Sequence, residues 1–115
     1  MNHQTIEQDI QAAGKTAPRI TPKDIEDNIV SEHCFTAADG AITGGALLVE
    51  CVPTALYLLT FCVLVLRNGF TVTGESACAS PENFDAEIGR KIARANAVQK
   101  IWPLMGYALR TQLSA

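Results

Sequence analysis

The chain has 115 residues, 48% of them hydrophobic and 18% charged, with a net charge of −3, the length and balance of one folded domain. A net negative charge argues against general nucleic-acid binding, which draws on many phosphate-neutralising cations. A domain this short buries only about 60–70% of the surface its unfolded chain exposes, so self-association is a natural cover for any apolar face left over.

Charge is placed unevenly. Residues 1–50 hold three basic and eight acidic side chains, whereas residues 86–115 hold five basic (Arg90, Lys91, Arg94, Lys100, Arg110) and one acidic (Glu87). An acidic chain with a basic C-terminal helix suits a small anion better than DNA. Cys34, Cys51, Cys62 and Cys78 lie far apart, with no C-x-x-C pair and no zinc-type spacing. They read as free, mostly buried thiols with no metal. The first twenty residues are too polar for a secretory signal, so a cytosolic location is expected.

In chain order, residues 5–13 predict a short helix with a Thr5–Gln8 capping box and Gly14 as its stop. Lys15 to Arg19, with Pro18, reads as a linker, so residues 1–20 form an N-terminal arm and 21–115 a single α+β domain. Thr21 as cap and Pro22 at the first position open a firmer helix, whose apolar residues are Ile25, Ile29, Val30 and Phe35. AADGAITGG (37–45) reads as a flexible loop and lacks the lysine of a P-loop.

Residues 46–66, ALLVECVPTALYLLTFCVLVL, approach the roughly 20 residues of a membrane span. Glu50, Pro53 and the turn that follows favour the other reading, a strand covered on both faces. Asn68-Gly69 between β-rich runs marks a hairpin. A two-residue loop there sets Leu66 opposite Thr71 and Val65 opposite Val72, with Val63, Val65, Phe70 and Val72 as the core-like face.

After a small-residue elbow from Gly74 to Ser80, Ser80 and Pro81 are expected to start the last helix. Phe84, Ile88, Ile92 and Ala95 supply its buried stripe, and Asn83, Glu87, Arg90, Lys91 and Arg94 its polar one. Pro103 inside this long helix predicts a kink or restart. Trp102 to Leu109 then carries an apolar patch suited to core or oligomer contacts.

No catalytic constellation stands out. Ser76 and Cys78 have no histidine near them in sequence, and His3 and His33 sit in the acidic half, so an enzyme is not expected. What converges is a polar set at the elbow: Thr71, Thr73, Gly74, Ser76, Asn83, Arg90, Lys91 and Arg94. Arg90 and Arg94 are one helical turn apart and can reach a common point. Two accounts of this set stand open. One is a helix face turned to solvent, the plainer of the two. The other is a pocket for a phosphorylated ligand, gripped by arginine forks, with Phe70 stacking on a base.

The run NGFTVTGESACASPENFDAEIGRKIARANAVQKIWPLMGYAL resembles a family of small tailed-phage proteins named for gene product 49 and gene 66 of its founding phages. The likeness covers roughly residues 21–112, is strongest over Leu58–Leu109 and weakest over Ile42–Val52. It implies a phage or prophage origin, a host-cytoplasmic location and an accessory rather than virion role. A second likeness, to phage anti-Thoeris sponge proteins, rests on a hairpin followed by a helix with two arginines four apart. Those proteins bind cyclic ADP-ribose-type signals, and some bind cyclic oligonucleotides, without cleaving them. By that resemblance Arg90 and Arg94 would grip phosphate, while the stacking aromatic falls near Val63 and the base-binding amide near Thr73, both departures from the sponge pattern. The implied protein is a homo-oligomer, dimer or hexamer, that sequesters a cyclic nucleotide and needs no cofactor, nucleic acid or membrane. The alternative is a non-enzymatic module docking on a host regulator through Trp102–Leu109.

Overall fold

The computed structural model describes residues 3–14 and 17–115, so Lys15 and Thr16 of the expected linker lie outside the described residues. Helix α1 (His3–Ala12) ends before Gly14, whose φ of +69° is the left-handed value that glycine tolerates best. Arg19 reaches back to it, with Nη2 donating to Glu7 Oε2 at 2.8 Å. Hydrogen bonding to Arg19 holds the Glu7 carboxyl below its ordinary range. A lowered carboxyl stabilises the folded form above the ordinary glutamate range and loses that contribution as pH falls through it. Protection factors of the α1 amides, corrected for intrinsic exchange, are therefore expected to fall once Glu7 is protonated in acid, and protection undiminished there would refute the tether.

Helix α2 (Pro22–Asp27) has the expected start: Thr21 and Asp24 form a reciprocal capping box. It is shorter than expected. It stops at Asn28, and Ile29, Val30 and Phe35 belong instead to strand β1 (Ile29–Thr36). The run IVSEHCFT is rich in β-branched and aromatic residues, and pairing with a neighbouring strand prevails over the helical spacing of Ile25 and Ile29. Arg67 fixes the junction, its backbone N–H donating to Asn28 O at 3.0 Å and its Nε to Asp27 O at 2.7 Å.

The expected loop at 37–45 is also corrected. Thr36 and Asp39 make a second capping box, and α3 (Ala37–Thr43) follows. Of the apolar run, Thr54–Tyr57 forms the short α4 and Leu59–Leu66 forms β2. Among the described residues no helix is long and apolar enough to cross a membrane.

β2 is the centre of a three-stranded antiparallel sheet, order β1-β2-β3, with β3 spanning Thr71–Ala77. The hairpin register differs by one from the two-residue-loop expectation: Val65 faces Thr71, Leu64 faces Val72 and Cys62 faces Gly74. A two-residue loop would need positive φ at both Asn68 and Gly69, and only Gly69 has it, at +88°. Leu66 N donates to Phe70 O at 2.8 Å, and Asn68 Oδ1 accepts from Phe70 N at 2.9 Å, closing a three-residue loop. Because side chains alternate, that single step turns β2 over relative to β3, so that Leu64 and Leu66 replace Val63 and Val65 beside Val72. Cys62, Leu64, Leu66 and Val72 form the core, whereas Phe70 is 57% exposed.

Helix α5 (Ala86–Leu113) lies over that core face. Ser80 and Pro81 open only a single 3-10 turn, and Asp85 caps α5, accepting from Glu87 N and Ile88 N. The helix runs through Pro103 without restarting. Its buried row is Gly89, Ala93, Ala97 and Ile101 rather than Phe84, Ile88, Ile92 and Ala95; Ile88 and Ile92 are about half exposed. Small residues win this position because they let the helix backbone settle directly on β3 at Gly74.

Candidate functional site

Arg90 and Arg94 stand one turn apart on α5, beside the edge where α2 and β1 meet it. Arg94 spans that edge. Its Nη2 and Nη1 bond Glu26 at 2.8 and 3.2 Å, and its Nε bonds Glu32 at 3.0 Å. Hydrogen bonding to Glu26, and then to Glu32, raises its pKa further above the ordinary arginine value. Two carboxylates on one guanidinium leave this spot with excess negative charge, and an incoming phosphate must displace one of them.

Arg90 is placed differently. It lines a cleft of about 90 Å³ with Cys34, Thr36, Asp39, Thr60 and Phe84, and enters no ion pair among the described residues. Binding cavities for small ligands run to roughly 300–1,000 Å³, so this cleft alone is too small for a nucleotide.

The other expected residues are spread over the surface. Ser76 and Asn83 line a cleft of about 260 Å³ with Cys78, Phe84 and Ile88, on the far side of Phe84 from Arg90. Lys91 is solvent-exposed and lies 3.4 Å from Glu87, a pairing of small energetic weight. Val63 and Thr73 oppose one another across β2 and β3, on the sheet face turned away from α5. Phe70 lies at the hairpin end, in a cleft of about 310 Å³ with Leu66, Leu104 and Met105. Within one chain, then, both arginines are brought together, while Val63, Thr73 and Phe70 are kept apart from them.

A cleft of about 480 Å³ was not expected from the sequence. It lies between the end of α2 and the last turns of α5 and is lined by Asp24, Asp27, Arg67, Met105 and Leu109 among others. Its two aspartates make it a poor phosphate site.

A second feature escaped local spacing. Cys34 and Cys62 are direct partners across β1 and β2, and Glu32 lies two residues before Cys34 on the same face. One ligand atom from each of the three lies within 4.8 Å of the others. Burial, and then the neighbouring Cys34 thiol, push the Cys62 thiol up to about 12. The signal available in the sequence was the alternation Glu32, Cys34, Thr36, legible only once the segment is read as a strand.

No significant match to a curated protein or to a solved structure was found. The model of the Phage protein (N4 Gp49/phage Sf6 gene 66) family matches residues 20–113, nearly the whole described domain. The chain therefore belongs to this phage protein family.

Proposed function

We propose that the protein is a phage accessory anti-defence protein that binds a cyclic nucleotide immune signal, of cyclic ADP-ribose or cyclic oligonucleotide type, in the host cytoplasm and sequesters it without cleavage. The observation that carries this reading is the Arg90 guanidinium, without an ion pair among the described residues, one turn from the immobilised Arg94. Arg90 offers a free fork to a phosphate, and Arg94, held in place by Glu26 and Glu32, joins it by exchanging one carboxylate for the ligand. The cleft at Arg90 is too small for the ligand, so the pocket is completed between copies of the chain. A second copy's Val63–Thr73 sheet face or Phe70 ring would supply the base contacts. The half-exposed Ile88 and Ile92, on the opposite flank of α5 toward the end of β3, supply apolar surface for that association.

The test is calorimetry with a panel of cyclic nucleotides. A charge-assisted hydrogen bond is worth about 1.5–3 kcal/mol, so Arg90→Ala should weaken binding roughly 10- to 100-fold while leaving the melting temperature unchanged. Adding Arg94→Ala should abolish binding, at some cost in stability because Glu26 and Glu32 lose their shared cation. Wild-type affinity in Arg90→Ala would reject the clamp.

A second reading, docking on a host regulator, draws on a different observation. Along the last turns of α5, Tyr107 is 79% exposed and Leu104 and Leu113 are 40% and 52% exposed, beside the cleft lined by Met105 and Leu109. If that reading is right, Tyr107→Ala abolishes host-protein capture and leaves nucleotide binding intact.

A further inference from the structure

We propose that Glu32, Cys34 and Cys62 form a binding site for a zinc-class divalent metal ion, with a fourth coordination position open toward Arg90. The site is made by strand pairing. Cys34 and Cys62 face each other across β1 and β2 on the α5 side of the sheet, and Glu32 follows on the same side by the period of two. Their ligand atoms already lie within 4.8 Å of one another. Ligands on a tetrahedral zinc, bound at ~2.0–2.3 Å, sit ~3.5 Å apart, so closure needs only side-chain adjustment.

The ligand chemistry selects the ion. Two sulfurs and one carboxylate suit a borderline-soft tetrahedral metal and disfavour magnesium or calcium, which take oxygen alone. Three protein ligands with one position open is also the pattern of zinc sites that keep a water or take up an anion. Of the three, Cys34 also lines the cleft that holds Thr60 and Arg90, and the vacant position is assigned to that side. Cys62 is fully buried and Glu32 exposed, so the ion has a rigid seat and an entry side.

The surroundings are those of a supported site. Arg94 Nε donates to Glu32 Oε1 at 3.0 Å, fixing the carboxylate and leaving Oε2 for a metal. Uptake displaces one proton from each thiol, which pass to solvent. Two thiolates and the Glu32 carboxylate then face the ion and the Arg94 guanidinium, which Glu26 shares, so the site keeps a net charge of about −1.

Cobalt(II) titration of the full chain, reduced with a phosphine under argon, tests the proposal. The expected result is one cobalt per chain, with sulfur-to-metal charge-transfer absorption in the near ultraviolet that zinc bleaches. Cys34→Ser, at a half-buried position where a hydroxyl is tolerable, should remove the absorption while far-UV circular dichroism stays native. Glu32→Gln should weaken cobalt binding at least tenfold, and Cys51→Ser and Cys78→Ser should leave it intact. The proposal is overturned if the reduced, folded protein shows no such absorption, or if the absorption survives in Cys34→Ser.

Discussion

Gly74→Ala is expected to lower the melting temperature by about 12 °C or more, although it adds a single methyl group. That corresponds to roughly 3 kcal/mol or more, at the upper end of overpacking penalties, with about 4 °C lost per kcal/mol in a domain of this size. Gly74 faces Cys62 on the central strand and points at α5. A Cβ there would overlap the Ala93 carbonyl oxygen and the Ala97 nitrogen, and would come within 2.9 Å of the Asn96 carbonyl carbon. All three are helix backbone, which cannot rotate aside as a side chain can. The helix would have to lift off the strand, also breaking the bond from Asn96 Nδ2 to Glu75 O, 2.8 Å long. Gly106→Ala is the control. Nothing lies within 4 Å of its would-be Cβ, so removing a helix-interior glycine should stabilise by about 0.5–1 kcal/mol. Thermal denaturation of the two variants side by side reads both signs. A Gly74→Ala protein that melts with the wild type would mean that α5 does not rest on β3.

The same contact explains why parts of this fold could be read from the sequence and parts could not. Thr21-Pro22 and Gly14 act on their immediate neighbours, so the start of α2 and the end of α1 were legible, as were the α+β class and the hairpin. The buried face of α5 was not, because large apolar residues signal burial by size, whereas Gly89, Ala93 and Ala97 are buried for being small. β1 was hidden by the four-residue spacing of Ile25 and Ile29, which a helix and a helix–strand junction share. α3 was masked by the glycines at 40, 44 and 45, although Thr36 and Asp39 already spelled a capping box. The arginine pair was visible from its spacing alone. Its electrostatic setting was not, since Glu32 and Glu26 reach Arg94 from 62 and 68 residues away. The grouping of Glu32, Cys34 and Cys62 depends on register and could not be seen while β1 was read as helix.

Register itself gives the second large effect, Leu64→Ala against Val63→Ala. Leu64 is fully buried at the middle of the central strand, between Glu32 and Val72 and under α5. Truncating it should cost about 3–5 kcal/mol, the lost transfer energy plus an uncollapsed cavity, because strands on both sides hold the walls apart. Val63 points to the other face and is only half-buried, so Val63→Ala should cost about 1 kcal/mol or less. A two-residue turn at Asn68-Gly69 would reverse that ranking, since it puts Val63 and Val65 on the core side. Urea denaturation of both variants at low protein concentration therefore decides which loop the hairpin uses. The same pair tests whether copies meet through the sheet. Phe35 and Phe61, with ring centroids 5.9 Å apart, share the Val63 face, so an interface there would make Val63→Ala weaken self-association without lowering the dilute-solution midpoint. If Val63→Ala is instead the more destabilising change in the dilute monomer, the sheet is inverted relative to α5, and Arg94 could no longer share a side with Glu32.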